Sequence, residues 1–115
     1  MNWQEKFVQI IIKQYPKSIA LMRGNFKSSQ IWKLQYMSNP RLLYDFFDGQ
    51  DIYIEIERDY DYVGRCGEEI KYTDTWNYNL VNQYGAIGYG EDFTTRTLAE
   101  EQAFLKAFEI LEDKL

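Results

Sequence analysis

The chain has 115 residues, the size of a single domain with one core, and its 45% hydrophobic and 27% charged residues are typical of a globular protein. It contains no histidine and a single cysteine, Cys66, which excludes histidine-dependent nucleophile systems, thiolate-rich zinc sites and an internal disulfide. The net charge of −5 is uneven, with seven basic and three acidic residues in positions 1–50 against six basic and fifteen acidic in 51–115. This asymmetry either marks a partner surface or disappears when the two halves interleave on folding.

The first half of the chain contains two predicted helices and one predicted strand. Apolar residues recur at helical spacing from Trp3 to Ile12, which predicts an amphipathic helix over about residues 2–14, ended by the Tyr15-Pro16 pair. Residues 16–29 show no dominant pattern, whereas the alternation in IWKLQYM (31–37) predicts a strand. In SNPRLLYDFFDG (38–49), an asparagine cap, a proline at the first helical position and a terminal glycine predict a short middle helix.

The second half is predicted to supply most of the sheet and a long final helix. IYIEIE (52–57) alternates isoleucine with polar residues, as in a strand with one wet face, and EIKYT and WNYNLV are further strand candidates. YGAIGYGEDF (84–93) is rich in turn residues and is interpreted as a connection. Thr97 and Glu100 match a capping box for a C-terminal helix. Its predicted apolar stripe contains Ala103, Phe104, Ala107, Phe108, Leu111 and Leu115.

These elements predict one α+β domain over residues 1–115, with helices at both ends packed on an antiparallel sheet of three to five strands. No run approaches the roughly 18 apolar residues that span a bilayer. The longest apolar cluster, from Phe7 to Ile12, is interrupted by Gln9, and its flank MNWQEK is a poor start for a signal peptide. We therefore expect a cytoplasmic protein with no membrane association.

The stretch ERDYDYVG (57–64) is a candidate for a metal loop or for paired catalytic carboxylates. As a calcium loop it would place Asp59, Asp61 and Gly64 at positions one, three and six. Positions five and twelve would then be Val63 and Ile70, whose side chains cannot coordinate calcium. As catalytic carboxylates, the two aspartates would share one face of a strand rather than oppose each other across a cleft. A charged strand edge that discourages aggregation explains the stretch better.

Two further motifs are weaker. GAIGYG (85–90) lacks the Gly-Lys-Ser/Thr ending of a phosphate loop, and the acidic Glu91-Asp92 that follows would repel phosphate. Cys66 lies next to Arg65, but without a histidine to activate it a nucleophilic role is not expected. We therefore predict a protein that is not an enzyme and that has no catalytic residues, cofactor or metal.

Direct nucleic-acid binding is an alternative that uses the basic first half of the chain. Lys27, Trp32, Lys33, Tyr36 and Arg41 could form a basic surface on which bases stack. The isoelectric point of about 4.7 argues against it, since nucleic-acid-binding domains are typically basic.

Protein binding is the favoured interpretation, because 17% of the residues are aromatic, ten of them tyrosine. Tyrosine supplies a large contact area with few rotors to immobilise, and acidic residues beside it would suit a basic partner surface. The competing interpretation is that the tyrosines face a core and the acids maintain solubility. The predicted partner-binding residues are Glu57, Asp59, Tyr60, Asp61, Tyr62, Asp74, Tyr89, Glu91 and Asp92.

Two segments, NPRLLYDFFDGQDIYIEIE and TTRTLAEEQAFLKAFEILEDKL, resemble a group of small phage and prophage proteins. Those proteins pair a LYDFF-type helix and strand with a C-terminal T-x-x-E-A-x-x-x-A-(F/L) helix. The resemblance covers residues 39–58 and 94–115, and its matching positions are capping and core residues, so it assigns no site. It implies an inhibitor of a host nucleic-acid-handling defence enzyme, of the anti-CRISPR type, that occupies a basic groove of a nuclease. The alternative within this context is a structural or accessory protein of the phage particle that acts by self-association.

Overall fold

A computed structural model describes residues 3–23 and 41–115 of the chain. Three strands form one antiparallel sheet in the order β1-β2-β3, and the described helices include one at each end of the chain. The predicted α+β class is therefore confirmed. The predicted strand at 31–37 and the predicted cap at Asn39-Pro40 lie outside the described residues. The elements are α1 (Trp3–Gln14), α2 (Pro16–Arg23), α3 (Arg41–Asp48), β1 (Tyr53–Val63), β2 (Glu69–Asn82), β3 (Gly85–Phe93) and α4 (Arg96–Lys114).

The first helix ends where the sequence predicts, but a second helix follows it at once. Pro16 interrupts α1 and also suits the first position of α2, where its missing N–H has no helical partner to lose. The amide of Ile19 donates to the carbonyl of Tyr15 at 3.0 Å, so the two helices follow each other without a loop. Residues 16–23, which carry no dominant sequence pattern, are therefore helical. None of the helices in the two described segments is long and apolar enough to cross a bilayer.

The N-terminus of α2 is capped by a side chain from the far end of the protein. Glu112 of α4 accepts hydrogen bonds from the amides of Lys17 (3.0 Å) and Ser18 (2.8 Å), and from the Ser18 hydroxyl at 2.8 Å. The first turn of α2 has no acidic residue of its own, so this carboxylate supplies both the acceptors and the negative charge that a helix N-terminus favours. Desolvation alone would raise the pKa of Glu112, but these hydrogen bonds outweigh it and lower the pKa.

Replacing Glu112 with glutamine puts an amide donor opposite backbone donors, and we expect it to reduce the free energy of unfolding by about 1–2 kcal/mol at pH 7. Because the pKa of Glu112 is lowered on folding, its contribution is present above the ordinary value of 4.5 and is lost as the pH falls through the folded value. Urea denaturation between pH 7 and pH 3 should therefore show the wild type converging on Glu112→Gln in acid. Asp113→Asn is the control, and a gap that stays constant with pH would contradict the capping role.

The core lies between α4 and one face of the sheet, with α1, α2 and α3 closing its sides. Phe108 is fully buried at the centre of the core. Its ring packs edge-on against Phe47 and stacks on Tyr15, with 4.8 Å and 5.8 Å between ring centroids. The predicted stripe of α4 is confirmed except at Leu115, which follows the last helical residue and is 47% exposed. The buried residues of α4 are Ala99, Ala103, Phe104, Ala107, Phe108 and Leu111.

The predicted capping box of α4 is wrong by two residues. Thr95, with extended backbone angles, is the N-cap, and its hydroxyl accepts a hydrogen bond from the Leu98 amide at 3.1 Å. Thr97 lies inside the first turn because the helix already begins at Arg96. Glu100 accepts a hydrogen bond from the Tyr44 hydroxyl at 2.7 Å instead, which ties α3 to α4.

The glycine-rich stretch interpreted as a connection is strand β3, and one of its glycines makes room for a neighbouring ring. Gly90 lies opposite Tyr78 of β2, and a Cβ at this position would come within 2.8 Å of the Tyr78 Cζ atom. The Tyr78 ring therefore lies over the glycine and stacks on Phe93 with 5.7 Å between centroids. At Gly88, by contrast, a Cβ would lie 3.5 Å from Lys106 of α4, an ordinary van der Waals contact, so the packing of the helix does not demand glycine there.

Candidate functional site

The two longer strands continue beyond the third and form a projecting hairpin. β3 pairs with β2 only between Trp76 and Asn82, whereas β1 and β2 remain paired as far as Val63 and Glu69. We call residues 58–74 the hairpin arm. EIKYT and WNYNLV, two separate candidates in the sequence, are one continuous strand that runs the length of the arm and into the body.

A β-bulge marks the base of the arm. Three residues of β2, numbers 73–75, lie opposite Asp59, so the register shifts at this point. Side chains hold the bulge in place: Arg58 Nε donates to the Thr73 carbonyl at 2.7 Å, and the Thr73 hydroxyl donates to the Asp59 carbonyl at 3.3 Å. Bulges increase local twist and reorient the strands beyond them, so the arm has a direction fixed by its own sequence.

The tip of the arm is a glycine turn held by a carboxylate. Gly64 and Gly67 adopt positive φ angles of 98° and 66°, which other residues rarely tolerate. Glu68 accepts a hydrogen bond from the amide of Cys66 at 2.8 Å, and bonds from its own backbone amide and from that of Cys66 lower the pKa of this carboxyl. Cys66 itself is an exposed free thiol, as expected of a loop cysteine.

One face of the arm carries an exposed group of large apolar side chains, which we call the arm cluster: Tyr60, Tyr62, Ile70 and Tyr72. Tyr60 lies opposite Tyr72 and Tyr62 opposite Ile70 in the register of the hairpin. The Tyr60 ring packs edge-on against Tyr62 at 5.4 Å and against Tyr72 at 6.2 Å. All four side chains are nevertheless between 42% and 64% exposed, so they are in contact with each other and also with solvent.

The arm cluster continues the core-facing side of the sheet. Side chains alternate along a strand, so Tyr60 and Tyr62 lie on the same face of β1 as Ile54 and Ile56, which pack against the core. α4 covers that face only up to its own start, where the Arg96 guanidinium lies 5.8 Å from the centre of the Trp76 ring. Beyond this point no helix of the described segments covers the sheet. An apolar surface of this kind usually marks a binding site.

The opposite face of β1 carries a row of carboxylates, which we call the acidic ladder: Glu55, Glu57, Asp59 and Asp61. Their neighbours across the hairpin are largely uncharged, since Glu55 lies opposite Asn79 and Glu57 opposite Asn77. Only Asp61 has a basic residue opposite it, Lys71. The outer face of the hairpin therefore carries a row of negative charges, and the neighbouring strand β2 places a positive charge opposite one of them, at Asp61.

The structure divides the nine predicted partner-binding residues among several places. The three acids of the ladder that were predicted face away from Tyr60 and Tyr62, so acid and aromatic residues that alternate in sequence lie on opposite faces of the arm. Asp74 lies in the bulge, where its carboxylate is 3.7 Å from the guanidinium of Arg58. The remaining three residues, Tyr89, Glu91 and Asp92, are exposed on β3, away from the arm.

Three residues of this site were not predicted. Glu55 extends the acidic ladder, and its period-two spacing from Glu57 is visible in the sequence. Ile70 and Tyr72 join the arm cluster only through the pairing of β1 with β2, which depends on a turn at residues 64–68 that the sequence does not place unambiguously. The Arg58 guanidinium also lies over the Tyr72 ring, with its central carbon 5.9 Å from the ring centre.

Apart from the hairpin arm, the structure has a concave feature between α3, the start of β1 and α4. It is an open cleft of about 500 Å³ lined by Arg41, Tyr44, Asp45, Asp48, Ile54 and Glu100. Burial and the adjacent Glu100 carboxylate raise the pKa of Tyr44, so its hydroxyl stays protonated and donates to Glu100. This pair links two helices. In the described parts of the chain, no group of three or more Cys, Asp and Glu side chains is arranged to hold a metal ion.

Comparison with known proteins adds no further constraint to this geometry. No protein-family model matches the chain. No curated protein and no solved structure matches it either.

Proposed function

We propose that this protein is a non-enzymatic binding module that captures a partner protein with its hairpin arm. The arm cluster carries the proposal, because it places three tyrosines and an isoleucine on the apolar side of the sheet beyond the cover of α4. Exposed apolar surface of this kind is costly in water and becomes favourable when a partner covers it. Tyrosine contributes large contact area and a polar tip at little cost in side-chain entropy.

The acidic ladder supports a basic partner. Complementary charge accelerates the encounter of two proteins and disfavours wrong partners. The negative charge of the ladder lies on the face of the arm opposite the arm cluster. A projecting hairpin with one aromatic and one acidic face makes full use of both only when it enters a groove with walls on either side. A flat partner surface could contact one face at a time.

The partner that fits these properties is a protein with a basic groove of the kind that holds nucleic acid. Together with the resemblance of residues 39–58 and 94–115 to small phage proteins, this leads to the finer proposal: an inhibitor of a host nucleic-acid-handling defence enzyme, encoded by a phage or mobile element and acting in the cytoplasm. In this proposal the hairpin arm occupies the groove in place of the nucleic acid. The inhibition is steric and electrostatic, and it requires no chemistry from the arm.

Affinity capture from cells of the native host, followed by mass spectrometry, tests this proposal. The expected prey is a basic, nucleic-acid-handling protein. Reversing charge on the ladder with Asp59→Lys and Asp61→Lys should weaken its capture by about tenfold. The matched control, Asp48→Lys with Asp113→Lys, makes the same change in net charge at exposed positions near two helix C-termini, where lysine is tolerated. Equal capture by both variants would contradict a role for the ladder.

Self-association in a phage particle is the second candidate, since the arm cluster could also be covered by a second copy of the chain. Light scattering separates the two: a stable high-order oligomer of the purified protein favours the structural role, and a monomer favours the inhibitor. The nucleic-acid alternative depends on five residues of which only Arg41, on α3, is described. A low-salt gel shift without retardation would remove it.

A further inference from the structure

We propose that the edge of β1 that no strand of the described segments pairs with accepts an extended segment of the partner, in which basic residues alternate with apolar ones, as an added strand of the sheet. The proposal rests on the proposed function and specifies the chemistry of the partner. It predicts that recognition involves backbone hydrogen bonds along β1 in addition to the side chains of the arm.

β1 is long, and within residues 3–23 and 41–115 it is paired on one side only. β1 spans 11 residues from Tyr53 to Val63, and in the described residues its sole strand neighbour is β2. The backbone N–H and C=O groups that point away from β2 therefore form a row of donors and acceptors. Rows of this kind are templates for strand addition, in which backbone bonds give affinity and alternate side chains give specificity.

The side chains beside this edge determine which strand would fit. An added strand shares the two-residue period of β1, so alternate residues would lie next to Glu55, Glu57 and Asp61 on the outer face. The residues between them would lie next to Tyr60 and Tyr62 on the face of the arm cluster. Lysine or arginine suits the first set and aliphatic or aromatic residues the second, because directly opposed cross-strand partners are about 5 Å apart.

The same charges disfavour a second copy of β1 as the occupant of the edge. In an antiparallel pairing of β1 with itself that keeps the faces of the sheet and overlaps most of the strand, residues of the ladder lie opposite other residues of the ladder. Pairing centred on Arg58, for example, sets Glu57 against Asp59 and Glu55 against Asp61. Like charges directly opposed destabilise a sheet, whereas a basic strand would relieve this repulsion.

A capped peptide of about eight residues that alternates lysine with valine is the probe, a length that matches a typical strand. Titrated into the full protein labelled with ¹⁵N, it should slow the exchange of the outward amides of β1 by about tenfold. Two isomers of the peptide, one N-methylated on every lysine and the other on every valine, form the decisive pair. An added strand uses the amides of one edge only, so one isomer should bind and the other should not.

Charge specificity is tested with Glu57→Lys, which should weaken peptide binding by about fivefold, while Asp113→Lys should leave it unchanged. Equal binding of both methylated isomers would overturn strand addition, and so would outward β1 amides that are already protected in the free protein. If the peptide fails but prey is still captured through Tyr60 and Tyr62, strand addition is wrong and the proposed function stands. If the peptide does not bind and capture of the prey does not depend on Tyr60 and Tyr62, both strand addition and the proposed function are wrong.

Discussion

Replacing Phe108 with alanine is expected to reduce the free energy of unfolding by about 3–5 kcal/mol, a large part of the stability of a domain of this size. Phe108 is fully buried, and its ring lies at the meeting point of three helices. It contacts Phe7 of α1 at 6.4 Å, Phe47 of α3 at 4.8 Å and Tyr15 at 5.8 Å. Neighbours on α1, on α3 and at the junction of α1 with α2 cannot all move inward, so the cavity would remain open.

Urea denaturation followed by circular dichroism measures this loss. Leu98→Ala on the same helix is the control, because Leu98 is 37% exposed and should cost less than about 1 kcal/mol. Phe108→Leu keeps the measurement possible if the alanine variant is unfolded without denaturant. Its loss of unfolding free energy should lie between those of Leu98→Ala and Phe108→Ala. A loss at Phe108 no larger than that at Leu98 would show that the core is not centred on this ring.

The second large effect is expected on binding rather than on stability. Tyr60→Ser combined with Tyr62→Ser should reduce partner capture by about 1,000-fold, since tyrosines at the centre of an interface often contribute about 2 kcal/mol each and every 1.4 kcal/mol is tenfold in affinity. The free energy of unfolding should change little, because both side chains are exposed in the free protein and pack mainly on each other and Tyr72.

The matched control is Tyr53→Ser with Tyr84→Ser, which also removes two exposed tyrosines but leaves the arm cluster intact. Binding to the captured prey is measured by calorimetry, with thermal melting of every variant to confirm that it is folded. Equal losses in the two double variants would mean that the arm is not the binding surface. Full capture by the Tyr60/Tyr62 variant would contradict the proposed function directly.

Much of the fold follows from the periodicity of the sequence. The stripe of α4 and the alternation in IYIEIE depend only on whether apolar residues recur every three to four positions or every two. β3 was missed because glycine usually marks turns, whereas Gly90 is required here by the Tyr78 ring on the neighbouring strand. The cap of α4 was missed because Thr97 has a glutamate three residues later and Thr95 does not; the actual start is at Thr95, two residues after β3 ends.

The candidate site was predicted in its composition but not in its geometry. Acids and tyrosines alternate through residues 59–62, and the two-residue period of a strand already requires that they face opposite ways. What the sequence could not supply was the register of β1 with β2, which brings Ile70 and Tyr72 beside Tyr60 and Tyr62. The extent of α4 is equally a tertiary property, and it decides which part of the apolar face stays uncovered.

The packing of α4 against α1 has a consequence for synthesis of the chain. Phe7 meets Phe104 at 6.1 Å and Phe108 at 6.4 Å, so the core joins the beginning of the sequence to its end. The hairpin has local contacts and can form once about residue 74 has left the ribosome, because short loops close quickly. The side chains of α1 and α3 that pack on α4, by contrast, stay without that cover until α4 has been translated. Until α4 has been translated, a nascent chain of this protein exposes apolar side chains that later form the core, and aggregation is then the main risk.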